Sequence, residues 1–160
     1  MNRIDHILGH PLFRERLARL EALEADRAFC RHDLSHLLDV ARLMWIWVLE
    51  EDLPIPRETV YAAALLHDLG RADQLERGIP HEEAGAELAL KMLPEVGFTE
   101  NACEEIRDAI LGHRRSGAAA RSPLGELLYR ADKACRPCWH CPASAACNWP
   151  DEMKNTGITR

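Results

Sequence analysis

Ala64-Leu65-Leu66-His67-Asp68-Leu69-Gly70 is the stretch from which the rest of the chain can be read. An apolar helical run leads directly into an imidazole and a carboxylate, and a glycine closes it. Small residues at Ala63 and Ala64 share the stripe of His67 and leave room beside it. A neutral imidazole next to a carboxylate suits a borderline divalent metal. Taken alone, any one such histidine is more often a satisfied structural or surface residue, so the residues around the pair decide.

Working outward, nearly every segment carries a helical period. Residues 12–28 set Leu12, Phe13, Leu17, Leu20, Leu23 and Ala28 among charges. Residues 33–50 place Leu37, Val40, Ala41, Met44, Trp45 and Val48 on one stripe. Leu53-Pro54-Ile55-Pro56 breaks that helix, and Pro56 suits the first position of the next. This helix is expected to run to about Leu69, with Gly70 as its C′ residue. Residues 71–80 read as a charged loop. A helix from His81 to Leu93 is stopped by Pro94, and another covers 99–113. Ser122 and Pro123 are the N-cap and first residue of a helix through Leu127, Leu128 and Ala131. No repeat and no alternating strand pattern appear, so the expected fold is all-α. It is a compact helical bundle over residues 1–134 followed by an irregular Cys-rich tail at 135–160.

The residues with metal-binding chemistry are His36, His67, Asp68, His81, His113 and Asp132. They fall near helix ends or on inward faces. His36 is one turn from Val40, and Asp132 is four residues after Leu128. Buried aspartates are rare unless paired or metal-bound, and a helical bundle can gather such positions in its core.

Four local strings carry a resemblance: His36-Leu-Leu-Asp-Val40-Ala-Arg, Ala64-Leu-Leu-His-Asp-Leu-Gly70, Ile110-Leu-Gly-His113 and Tyr129-Arg-Ala-Asp132-Lys. In this order they resemble the HD-domain superfamily of metal-dependent phosphohydrolases over roughly residues 30–134. The two histidines between the pair and the last Asp resemble its two-metal branch. The spacing is most similar to the small dinucleoside-polyphosphate hydrolases. The Gly-Tyr-Pro motif of cyclic-di-GMP phosphodiesterases is absent, which argues against that substrate. The resemblance implies that His36, His67, Asp68 and Asp132 hold one metal and that Asp68, His81 and His113 hold the second, with Asp68 bridging. Two cations about 3.5–4 Å apart can share a hydroxide and clamp a phosphate ester. Fe, Mn, Co, Ni or Zn each suit such ligands. The implied reaction is hydrolysis of a nucleotide or other small phosphate ester. A di-iron oxygenase on the same scaffold and a non-catalytic metal- or redox-sensing module are the alternatives.

Cations complete the expected site. Arg71 follows the ligand pair, Arg114 and Arg115 follow His113, and Lys133 follows Asp132. Guanidinium groups bind phosphate oxygens bidentately. Arg71 and Lys133 are therefore candidate catalytic groups beside Asp68, and Arg71, Arg114 and His32 are candidate substrate contacts. Each cation reads equally as a solvated surface charge. His32 stands four residues before His36 in a second His-Asp string with Asp33, while His6, His10 and His140 look incidental.

Cys135-Arg-Pro-Cys138-Trp-His-Cys141 and then Cys147 form the other unusual feature. Cys-x-x-Cys steps present thiolates to one metal, as in structural zinc sites, and their succession is also compatible with iron–sulfur ligation. Reduced thiols in a loop are the plain alternative. The tail contains Pro137, Pro142 and Pro150 and needs a staple, which favours a metal. Cys30 and Cys103 are expected to be core residues.

Composition narrows the classes further. A chain of 160 residues fits one domain. A net charge of −6 does not advertise duplex nucleic-acid binding. Six cysteines are too few for a disulfide scaffold. No apolar run reaches the roughly 18 residues of a membrane span, and charges interrupt the N-terminus. The expectation is a cytoplasmic protein acting on a small phosphorylated substrate, with oligomerisation left open.

Overall fold

The computed structural model describes residues 2–114 and 121–158. Among these the chain forms eight α-helices and no strand. They are α1 (Arg3–Gly9), α2 (Pro11–Leu23), α3 (Leu34–Glu50), α4 (Arg57–Leu66), α5 (Arg71–Arg77), α6 (His81–Glu95), α7 (Glu100–Gly112) and α8 (Pro123–Ala134). The all-α expectation holds.

Helix α4 lies at the centre, packed against α1, α3, α6, α7 and α8. Nearly all of it is buried, from Thr59 through Leu66, apart from the partly exposed Tyr61. A helix apolar on every side belongs inside a bundle, and Ala62, Ala63 and Ala64 let its neighbours come close. Helices α3, α6, α7 and α8 complete the core around it with Leu37, Val40, Met44, Met92, Ile106, Ile110 and Leu128. On α3 it is Trp47 that lies on the buried stripe, while Trp45 is only partly covered.

Local chemistry sets the boundaries. Asn2 caps α1 by accepting from Asp5 N at 3.0 Å. Asp33 caps α3, its Oδ1 accepting from His36 N at 3.0 Å, so the second His-Asp string begins a helix. Ser122 caps α8, accepting from Gly125 N at 3.1 Å, and Pro123 opens that helix as expected.

Several boundaries differ from expectation. Helix α2 ends at Leu23 instead of 28, because Glu24 turns inward and accepts from His32 N at 2.8 Å. Cys30 therefore lies in a loop, half-buried, while Cys103 is buried within α7. Residues 71–77 are helix α5 and not a loop. Its charges misled because Asp73 is buried and accepts from Arg16 Nη1 at 3.3 Å, while Leu75 faces outward. Gly78, at φ 71°, closes α5 in the left-handed conformation. Pro56 is the N-cap of α4 and not its first residue. Pro94 lies within the last turn of α6, which reaches Glu95.

Gly70 has a different role from the one expected. At φ −68° it is not a left-handed C′ residue but the N-cap of α5. Helix α4 stops at Leu66, and His67-Asp68-Leu69-Gly70 make the corner between α4 and α5. A Cβ on Gly70 would stand 2.1 Å from His81 O and 2.5 Å from Gly85 N. The corner and α6 thus meet backbone to backbone.

After α8 the chain makes three single 3-10 turns at Cys138–His140, Ser144–Ala146 and Asp151–Met153, none with a buried residue. Asn155 Nδ2 ties this tail back, donating to Lys133 O and Arg136 O, each at 2.8 Å.

Gly70→Ala is expected to destabilise the fold by about 3 kcal/mol, the upper end for forced overpacking, because the clash is with backbone that cannot rotate away. Urea unfolding followed by circular dichroism measures it, and a variant as stable as wild type would contradict the contact.

Candidate metal centre

Five elements deliver the site. His36 lies in the first turn of α3, His67 and Asp68 in the α4–α5 corner, and His81 at the first position of α6. His113 follows the end of α7, and Asp132 lies in α8. All six are buried, with His67, Asp68, His81 and His113 at 0–1 % exposure. His36, His67, Asp68 and Asp132 present ligand atoms within 4.8 Å of one another, and so do Asp68, His81 and His113.

The imidazoles are aimed by their outer nitrogens. A helix end leaves carbonyls without intrahelical partners, and two histidines use this. His67 Nδ1 donates to Ala64 O at 2.7 Å at the end of α4, and His113 Nδ1 donates to Ile110 O at 2.5 Å at the end of α7. His81 Nδ1 donates to Gln74 Oε1 at 2.6 Å. Each leaves Nε2 directed inward, the orientation metal-binding histidines adopt.

Asp68 is shared between the two groups. Its Oδ2 lies 3.0 Å from His67 Nε2 and 3.5 Å from His36 Nε2. Its Oδ1 lies 3.5 Å from His81 Nε2 and accepts from Arg71 Nε at 2.8 Å. Asp132 Oδ1 approaches His36 Nε2 at 3.3 Å and His67 Nε2 at 3.8 Å, while Oδ2 pairs with Lys133 Nζ.

Two details fit a divalent cation. His81 Nε2 and His113 Nε2 face each other at 3.2 Å, and neither has a proton to give once Nδ1 carries it. A cation between them relieves that opposition. His67 Nε2 is buried and pairs with Asp68 Oδ2 by charge at 3.0 Å, without the alignment of a good hydrogen bond.

Burial and charge separate the titrations. Burial alone would lower the His67 imidazole, but the charge of Asp68 and the nearness of Asp132 outweigh it and raise the group to about 9. Burial, with Arg71 and His113 nearby, lowers His81 to about 3 against the pull of Asp68. Burial and the positive His67 lower His113 to about 4. Burial would raise Asp68 and Asp132. Instead His67, Arg71 and His36 hold Asp68 well below the usual carboxylate range, and His36, His67 and Lys133 do so for Asp132.

The other expected residues distribute around this centre. Arg71, Arg114, Lys133 and His32 line a cavity of about 1030 Å³ that opens onto it. That volume is ample for a small-molecule site. His32 is held by Glu24 Oε1 at 2.7 Å and turns Nε2 toward Asp68 Oδ2, 4.0 Å away; burial lowers its pKa. Arg115 lies outside the described residues. Cys135 Sγ stands 3.6 Å from His36 Nδ1 and 3.5 Å from Asp132 O, and burial pushes its thiol up to about 12.

Sequence reading missed Arg136, which is buried. Its Nη2 donates to His36 Nε2 at 3.0 Å and lies 3.5 Å from Asp132 Oδ1, and its Nη1 donates to Arg31 O at 3.0 Å. A cation taking the His36 lone pair must displace it. The step of four residues from Asp132 was the available signal. Glu24 and Gln74, which orient His32 and His81, left no comparable signal.

Residues 33–136 match the HD domain. The chain belongs to the HD-domain family. A Clostridium beijerinckii protein described as uncharacterized is 40% identical over 158 residues, 99% of each chain. The crystal structure of a predicted HD superfamily hydrolase from an uncultured Thermotogales bacterium is similar at a TM-score of 0.60 and 31% identity, covering 78% of this chain and 68% of that one. These likenesses put the HD domain described here in a superfamily of metal-dependent phosphohydrolases, and its buried His/Asp cluster is compatible with divalent metals.

The metal-free HD domain is expected to lose stability on acidification. His81 and His113 have folded values below the unfolded value near 6.5, so their contribution is complete above 6.5 and is lost as pH falls toward 4. His67, raised to about 9, shifts stability mainly between 6.5 and 9 and does not oppose this. Chemical denaturation at pH 6.5, 5.5 and 4.5 in chelator should show a decline of about 1–2 kcal/mol per pH unit. A flat profile would contradict the buried neutral state of these two rings.

Proposed function

We propose that this HD domain is a two-metal phosphohydrolase acting on a nucleotide or another small phosphate ester. The observation that carries it is Asp68, whose two carboxylate oxygens face different imidazole sets. In this reading His36, His67, Asp68 and Asp132 hold one divalent ion, Asp68, His81 and His113 hold the other, and Asp68 bridges. When bound, the two ions supply Lewis acidity to the phosphate and a water acidified at neutral pH.

The remaining roles belong to the chain. Arg71 uses Nε on Asp68, which leaves the rest of its guanidinium toward the cavity for phosphate oxygens. Lys133 neutralises Asp132 and stands at the same cavity wall, where the leaving oxygen needs a positive neighbour. Arg114 and His32 are placed to meet the substrate's other groups. The chain is acidic overall, yet this wall carries Arg71, Arg114, Lys133 and Arg136, which favours an anionic ligand. No described helix is long and apolar enough to cross a membrane, which agrees with a substrate taken from water. The reading keeps a helical core at 1–134 and a Cys-rich tail at 135–160 that forms part of the cavity wall.

Protein loaded in turn with Mn, Fe, Co, Ni and Zn, assayed against nucleotides, dinucleoside polyphosphates and simple phosphate esters, tests the proposal. His67→Ala and Asp68→Ala should abolish both metal content and phosphate release. His81→Ala should cut bound metal from two ions to one. Arg71→Ala should keep the metal but lower kcat/KM by on the order of 10²–10³. Full turnover by a metal-free Asp68→Ala protein, or substrate-dependent oxygen uptake without phosphate release, would overturn it.

A further inference from the structure

The cysteines of the tail meet a partner that lies far away in the sequence. Cys138, Cys141 and Cys147 enter the cavity wall from the tail, and Cys30 enters it from the loop between α2 and α3. The Cys30 thiol is raised, first by burial and then by Cys141, Cys138 and Cys147, which places all three within electrostatic reach of it. Cys135 borders the same cavity, but its Sγ is turned the other way, onto His36 Nδ1 and Asp132 O. All six cysteines are free thiols.

We propose that Cys30, Cys138, Cys141 and Cys147 are the thiolate ligands of an iron–sulfur cluster, with Cys30 taking the place that the sequence spacing suggested for Cys135.

The thiols share one wall without converging to a single point. A single tetrahedral zinc ion with bonds of about 2.3 Å draws its four sulfurs to roughly 3.8 Å from one another. Among the described residues, no three of these thiols converge within 4.8 Å, whereas the His/Asp sets do. A cluster interposes several irons and sulfides between its cysteines, so it does not need them to converge as one zinc ion does. Lys154, held by Ser144 O at 2.9 Å and Asp151 Oδ1 at 2.8 Å, lies within electrostatic reach of Cys147 and Cys138. Arg136 does the same for Cys30. These cations offset the charge of four thiolates.

Such a link would add to the few polar ties that join loop and tail, such as Arg136 Nη1 to Arg31 O at 3.0 Å. The 3-10 turns of the tail contain no fully buried residue. The loop at 25–33 is held at its end by Glu24 on His32, and within itself by Arg27 Nε to Cys30 O at 2.9 Å and Arg31 Nη2 to Ala25 O at 2.8 Å. A cluster would join loop and tail two residues from His32 and so form one wall of the substrate cavity.

Protein purified without oxygen, or reconstituted with ferrous iron and sulfide, is analysed for iron, acid-labile sulfide and zinc. Thiol alkylation under native conditions is then mapped by mass spectrometry before and after a chelator strips the iron. The proposal expects labile sulfide with iron in matching excess over the His/Asp centre, and visible absorption that dithionite bleaches. Cys30, Cys138, Cys141 and Cys147 should gain reactivity together on stripping. Cys30→Ser should lose the sulfide and the absorption, and Cys135→Ser should retain both. Zinc without labile sulfide would overturn it, and so would a set of newly reactive thiols containing Cys135 in place of Cys30. The alkylation map uses the wild-type chain, so it decides even if Cys30→Ser fails to fold. None of these readouts involves phosphate release, so the result is independent of the hydrolase proposal.

Discussion

Asp68 is a carboxylate removed almost completely from water, and the protein is organised around keeping it charged. An isolated ion in that position would take up a proton. Here His67, His36, His81 and Arg71 surround it, from three helices and their connecting corner. Those groups are themselves costly to bury, and each brings its own support. His67 uses an end carbonyl of α4, His81 uses Gln74, and Asp132 offers a second negative charge. The apolar helices supply the stability that such a polar interior consumes, and the polar interior determines how they must be arranged.

The bundle was legible because helical periods and caps are local. Leu37, Val40 and Met44 announce α3, and Ser122-Pro123 announces α8. Helix α5 was not legible, because its buried side is Ala72 and Asp73 and its one large apolar residue points outward. Charge composition described the loop-like surface correctly and the backbone wrongly. The end of α2 was hidden for a related reason. Glu24 leaves the helix to hold His32, an interaction across eight residues that no period records.

The buried His/Asp cluster was legible as a set. Its six members occur at wide but ordered spacings, and the geometry brings all six together. What spacing does not reveal is competition for a lone pair. Arg136 follows the last aspartate by one helical turn and reaches His36, yet arginine beside a proline in a tail looks like surface. The cysteines pose the opposite problem. Three lie close in sequence with Cys135, so proximity along the chain suggested a group of four. The fold sets Cys135 Sγ beside His36 Nδ1 and places Cys30 in the same cavity wall as the other three.

The missing Cβ of Gly70 has a consequence beyond stability. The corner that carries His67 and Asp68 rests directly on the backbone of α6 at His81 and Gly85. The separation between these two halves of the centre is therefore gauged by main-chain atoms, which every sequence variant shares. Apolar side chains elsewhere in the bundle can drift over evolutionary time without changing that gauge. The geometry of the His/Asp cluster can stay constant while the surrounding sequence, and with it the cavity wall, diverges.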